Sequence, residues 1–257
     1  METQKEHKNL DLSGLPDQAS PTVEAFAQEI LARDFDNINS IVITGSVVSP
    51  DYMPGRSDIN SVVVLKEMKL PVLDSLASLG KRYAKKSVRA PLIMTASYIE
   101  RSLDVFPIEF FDIKLLHKTI YGQDLFVELV PDRAMLRIQC ERDLKAKLIH
   151  LRQGYISSFG RKAGLVSMLL QALPGFFPLL RAMLYIMHDE ATPPLSRAKV
   201  LVETQKVFDI SMHGLLEIQG FRSQKKPSIS DDLAHRLFTE MYRITDELSL
   251  KIDEINI

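Results

Sequence analysis

Two short apolar runs, Ile41-Val42-Ile43-Thr44 and Val62-Val63-Val64-Leu65, bracket the stretch that most constrains this 257-residue chain. Gly45-Ser46 closes the first run and Ser57-Asp58-Ile59-Asn60 opens the second, with ten residues between the two motifs, ending in Gly55-Arg56. Short β-branched runs bounded by turn residues read as strands. A Gly-Ser pair at a strand end can turn backbone N–H groups toward an anion, and an aspartate opening the next strand can hold a cation beside it. Asn60 stands where a second carboxylate is expected for that purpose.

Composition narrows the class. The chain is 46% apolar and 25% charged, ordinary values that exclude disordered and fibrous proteins. Its length suits two domains better than one. A formal net charge of −1 provides no overall field for nucleic acid, which is not an expected partner. Apolar stretches are read as ending well short of a membrane span, and the first twenty residues lack the apolar core of a signal peptide. No membrane partner is expected, and a cytoplasmic location follows. Cys140, the single cysteine, excludes an internal disulfide and any cysteine-rich zinc site.

In chain order, residues 1–19 read as a flexible polar tail. Ser20-Pro21 reads as a cap and first turn, opening a helix to about residue 34. After the central strands, Pro71 starts a helix with Leu73, Leu76, Ala77 and Tyr83 on its apolar side. A strand over 91–95 and a short helix through Tyr98-Arg101 follow. Ile108-Glu109-Phe110-Phe111-Asp112-Ile113 reads as a fourth strand, on which Glu109 and Asp112 point to opposite faces. Only one of them can then face Asp58; Glu109 is preferred and Asp112 is the alternative. Residues 121–125 read as a turn. From about Asp132 the pattern becomes helical: an amphipathic helix with Leu144, Leu148, Leu151 and Tyr155, then an apolar segment over 164–187 broken by prolines. A helix capped by Ser196, one over 212–220, a polar loop over 224–230 and a long amphipathic helix from Asp231 complete the chain. Domain boundaries are set at 20–130 for an α+β head, a small mixed sheet flanked by helices, and 131–257 for an all-α helical bundle.

Nucleotidyl transfer is the chemistry these residue types suit. Gly45 lets the backbone approach a triphosphate, Ser46 and Ser57 can donate to phosphate oxygens, and Arg56 can pair with them. A divalent cation needs oxygen ligands, which alternate positions of one strand can present together. On these motifs the chain resembles the nucleotidyltransferase superfamily, in the pattern shared by aminoglycoside and minimal bacterial nucleotidyltransferases. The run from Ser102 through Pro107 to Asp124 is also similar to the closing segment of bacterial nucleotidyltransferase-domain proteins with a helical C-terminal region. The resemblance covers about residues 40–126.

That resemblance implies a magnesium-dependent site and ATP, or another nucleoside triphosphate, as donor. Asp58 is then the first metal ligand, Asn60 occupies the second ligand's place, and Glu109 is the third ligand or the base. The acceptor carries a hydroxyl and is otherwise unspecified. Asn60 offers an oxygen without charge, so a second reading keeps the fold as a nucleotide-binding or protein-interaction module without turnover. Arg181 and His188 distantly resemble the Arg-x-His motif of helical ribonucleases, although core placement accounts for them better. His150 and His213 have no metal-ligand spacing, and the basic stripe from Arg137 to Arg152 reads as a solvated face. The apolar stripes of the helical half suit a homodimer.

Overall fold

The computed structural model describes all residues except 1–8, 189–191, 194, 223, 225–227 and 256–257. Contacts divide the chain into two units, Met1–Leu103 with Ile113–Val130 and Asp104–Asp112 with Pro131–Ile257.

The first unit is built on helix α1 (Ser20–Asp34), strands β1 (Ile38–Thr44) and β2 (Asn60–Leu65), helix α2 (Leu70–Ala84), strand β3 (Leu92–Thr95) and helix α3 (Ala96–Ser102). Helix α4 (Pro107–Leu115) spans the division between the units, and strand β4 (His117–Gly122) returns to the first. The sheet is mixed, in the order β3-β2-β1-β4: β1 lies antiparallel to β2 and β4, and β2 runs parallel to β3. Ile41, Ile43, Val63 and Leu65 share one core with Phe26, Ile30 and Tyr83 from the helices. Val42, Val62 and Val64 of the other sheet face are equally buried. Burial on both faces is why these strands read as continuous apolar runs rather than alternating ones.

Several sequence expectations shift here. Helix α1 starts at Ser20 with Ala19 at the cap, and the Ser20 hydroxyl donates to the Pro16 carbonyl instead of capping the helix. Helix α2 buries Val72, Leu79 and Tyr83, while Leu73 is exposed. Of the expected stripe, Tyr83 and Leu76 pack on the core, while Val72 and Leu79 take the places of Leu73 and Ala77. Of the expected flexible tail, residues 1–8 lie outside the described residues. The rest is packed: Leu15 is buried, and the Asp11 amide donates to the Ile120 carbonyl at 2.9 Å. Tyr121 and Gly122, expected in a turn, end β4 and pair with Ile41 and Ser40.

The largest correction concerns residues 107–115, which form α4 and not a strand. Pro107 sits in the first turn, where its missing N–H costs nothing and its fixed φ favours helix. The Phe110 amide donates to Phe106 O at 3.1 Å, and Ile108, Phe110 and Phe111 are buried. A six-residue apolar run does not distinguish strand from buried helix by periodicity alone. The consequence is geometric: three residues apart on a helix, Glu109 and Asp112 lie on one side, so the expected choice between opposite faces disappears.

The second unit is helical. Asp132 caps α5 (Arg133–Ser157), its carboxylate accepting from the Met135 amide at 2.9 Å. Helices α6 (Lys162–Ala172) and α7 (Phe176–Met187) are separated by a 3-10 turn, Leu173–Gly175, where Pro174 stops the ladder. Helices α8 (Arg197–Phe208), α9 (His213–Arg222) and α10 (Asp231–Asp253) complete the bundle, with α10 packed on α5, α6 and α9. The Ser230 hydroxyl caps α10 by accepting from Leu233 N, and Leu237, Met241, Ile244, Leu248 and Ile252 are buried. Residues 225–227 of the expected polar loop over 224–230 lie outside the described residues. Contrary to the sequence reading, Lys162–Met187 is long and apolar enough by length and composition to cross a membrane, with a mean hydropathy of 1.7. In the fold this run is broken at Leu173–Gly175, and nearly all of α7 is buried.

Candidate functional site

The site begins where β1 ends. Gly45 has φ +78°, a conformation costly for any residue with a side chain. Its N–H, expected to face an anion, donates instead to the Leu116 carbonyl at 2.9 Å and fastens the corner to the sheet. One 3-10 turn, Gly45–Val48, follows, anchored by buried Val47. The Ser46 carbonyl accepts from the amide and hydroxyl of Ser49. The Ser46 hydroxyl has no partner among the described residues and remains a free donor.

Thr44 pairs with Asn60 across the β1–β2 ladder, which brings Asn60 beside the corner. A methyl group at Gly45 would stand 3.2 Å from the Asn60 amide nitrogen. Ile59 is buried and bridges Val88, with Ile59 N donating to Ser87 O and Arg89 N to Ile59 O. Since Ile59 points inward along an extended segment, Asp58 and Asn60 on either side of it face outward together. Gly45, Ser46, Asp58 and Asn60 thus lie along one end of the sheet.

The intervening loop is held by its own hydrogen bonds. Ser57 Oγ accepts from the Met53 amide at 2.9 Å, and the amides of Arg56 and Ser57 both donate to Met53 O. Ser57 thus has a structural task beside the expected phosphate contact. Gly55, at φ +73°, permits the turn that precedes Arg56.

Arg89 is the residue that sequence reasoning missed. Its Nε and Nη2 donate to Asp58 Oδ2 at 2.9 and 2.7 Å. The clue was the parallel pairing of β2 with β3: following that register back toward Ile59 carries the residues before Leu92 alongside Asp58.

Glu109 and Asp112 belong to the second unit. There Glu109 Oε2 accepts from Gln139 Nε2 at 2.7 Å, while Gln139 Oε1 accepts from the Ile108 amide. Asp112 pairs with buried Arg181, whose Nη1 donates at 2.7 Å and whose Nη2 donates to Leu195 O. Burial pushes the Asp112 carboxyl above the ordinary carboxylate range, against the opposing pull of Arg181. Lys114, on the same helix, donates to Leu129 O at 2.5 Å. Arg181 is a core residue, and His188 lies 3.7 Å from Glu203.

Magnesium takes one or two carboxylates together with substrate phosphates. Among the described residues, no three His, Cys, Asp or Glu side chains cluster as a metal site. Asp58 and Asn60 offer one carboxylate and one amide oxygen on a shared face. They meet the lower end of the requirement for a cation delivered on a triphosphate, provided Arg89 can release Asp58.

No family model matches the chain, and no curated protein matches it in sequence. Among solved structures, it is similar to the crystal structure of spectinomycin adenyltransferase AAD(9) from Enterococcus faecialis with ATP and spectinomycin. The TM-score is 0.52 at 13% identity, over 91% of this chain and 99% of that one. At this identity the likeness shows the fold. The chain has a nucleotidyltransferase-like α+β fold, with a small mixed sheet, flanking helices and a helical C-terminal region.

Proposed function

We propose that the chain binds ATP, or another nucleoside triphosphate, and transfers its nucleotidyl group to a hydroxyl of an acceptor. The observation that carries this reading is the pairing of Thr44 with Asn60, which sets the Gly45-Ser46 corner beside the outward-facing Asp58 and Asn60. The similar structure contains ATP, which supports the choice of donor.

In this reading the Ser46 hydroxyl donates to a phosphate oxygen, Arg56 pairs with the triphosphate, and Ser57 orders the loop beneath it. Asp58 and Asn60 would hold a magnesium ion bound to the phosphates; such an ion neutralises phosphate charge and aligns the attacking and leaving oxygens. Arg89 transfers from Asp58 to the phosphates as the nucleotide enters, so its charge is conserved in the site. A base takes the proton of the acceptor hydroxyl as that oxygen attacks the α-phosphorus and pyrophosphate leaves.

Labelled ATP, magnesium and an acceptor extract, with spectinomycin as the first defined acceptor, should yield a labelled product that Asp58→Ala abolishes. Absence of product with every nucleotide would defeat the transferase reading. The Arg89–Asp58 pair and the neutral Asn60 favour a second reading, nucleotide binding without turnover. Calorimetry would then show binding weakened by Ser46→Ala or Arg56→Gln, with no product.

A further inference from the structure

The helical unit contains a cavity of about 550 Å³ between α5 and α6, within the range of small-molecule sites. Its lining includes Lys147, Leu151, Ser167, Met168, Gln171 and Phe176. None of these belongs to the proposed nucleotide site. The cavity exists because glycines bring the walls together at its edges. A methyl group at Gly154 would stand 2.2 Å from Met168 Sδ, and one at Gly164 would stand 2.5 Å from Ser158 Cβ. Glycine at 175 likewise makes room for Lys147, whose Nζ would be 2.8 Å from a side chain there.

Lys147 differs from the other lysines and arginines of α5, each of which has a hydrogen-bonded or ionic partner; Arg133 donates to Ile186 O. Arg137 and Lys145 both pair with Glu141, Arg142 pairs with Asp143, and Arg152 donates to the Tyr242 hydroxyl. Lys147 forms no salt bridge among the described residues. Its ammonium lies 4.9 Å from the centre of the Phe176 ring, which gives it a π face, and Asp143, one turn earlier on α5, attracts it without forming a salt bridge. Burial pulls this amine below the ordinary lysine value. A half-buried cation in this setting is stabilised by an anion delivered into the same space.

We propose that this cavity is a binding site for a small organic acid with an apolar ring system, its anionic group on Lys147 Nζ and its rings against Phe176, Leu151 and Met168. Ser167 and Gln171 supply polar contacts at the wall; in the free protein they bond to each other at 2.9 Å. This inference is independent of nucleotide transfer.

Anilinonaphthalene sulfonate has this chemistry and serves as the probe. Fluorescence and calorimetric titration of the full chain should give saturable one-to-one binding. Lys147→Met should weaken it roughly tenfold or more, as expected for a lost charge-assisted contact. Lys145→Met, on the same helix but paired with Glu141, should leave it unchanged. Ser167→Trp, at an exposed position of α6, should block the cavity and tests the proposal even if Lys147→Met fails to fold. The uncharged N-phenylnaphthylamine should bind more weakly than the sulfonate to the unmodified chain. Lack of saturable binding would overturn the site, as would Ser167→Trp binding unchanged. Equal affinity for the neutral probe, or unchanged binding by a folded Lys147→Met, would overturn the role of Lys147.

Discussion

Asp58 is held by a guanidinium, and much of the site's behaviour follows from that contact. Arg89 is mostly exposed, so its pair with Asp58 adds at most about 1 kcal/mol to stability. Arg89→Gln is therefore expected to leave the denaturation midpoint nearly unchanged while lowering nucleotide affinity roughly tenfold, the scale of a lost charged contact to phosphate. Unchanged affinity in calorimetry would remove Arg89 from the phosphate site. Asn60→Asp adds a carboxylate next to Asp58 and should strengthen magnesium-dependent nucleotide binding, an effect absent without the metal. Gly45→Ala forces a side chain into a left-handed position beside Asn60 and should cost about 1 kcal/mol or more in urea denaturation. Gly45, Ser46 and Asp58 were recognisable from their order along the chain. Arg89 was not, because its only signal is a backbone pairing between segments thirty residues apart.

Among elements, α4 and α10 differ in how much of their fate lies in local sequence. Helix α10 repeats its apolar positions over six turns, and Ser230, read from the sequence as the end of a polar loop, caps it in the structure. Ser230→Ala should cost about 1 kcal/mol, whereas Leu237→Ala, which empties a fully buried position, should cost about 2–5 kcal/mol. Equilibrium unfolding of both variants checks the ranking. Helix α4 has too few residues for periodicity to decide, and its state is settled by what it contacts: Gln139 at Glu109 and Ile108, Arg181 at Asp112, and the Tyr185 ring tilted against Phe111 with centroids 4.7 Å apart. Arg181→Met should be among the most damaging changes in the chain, at about 3–5 kcal/mol, because it leaves Asp112 without its cation.

At the scale of the whole molecule, ionisation sets the pH window. Lys118 holds the Asp11 carboxyl at about 2, below its ordinary 3.8. The Tyr83 hydroxyl lowers Glu29 and Lys145 lowers Glu141; at Asp124, burial acts upward but the His117 contact prevails. A carboxyl lowered in the folded state contributes stability above its unfolded pKa and loses that contribution as pH falls through the folded one. Asp112, raised by burial, runs the opposite way: its contribution is present in acid and declines as pH rises through its folded pKa. The lowered groups outnumber it, so the thermal midpoint should fall on acidification below about pH 4. A midpoint unchanged down to pH 2 would contradict this balance.

The amino-acid sequence alone determined the α+β class, the central strands, the corner at Gly45 and the amphipathic helices, because each rests on local patterns: β-branched runs, turn residues and apolar periodicity. Tertiary structure decided that residues 107–115 are helical, that Asp58 is paired with Arg89, and that Lys147 lines a cavity beside the Phe176 ring. Those outcomes depend on which segments pack together, and packing between distant segments leaves no periodic trace in the sequence of either one.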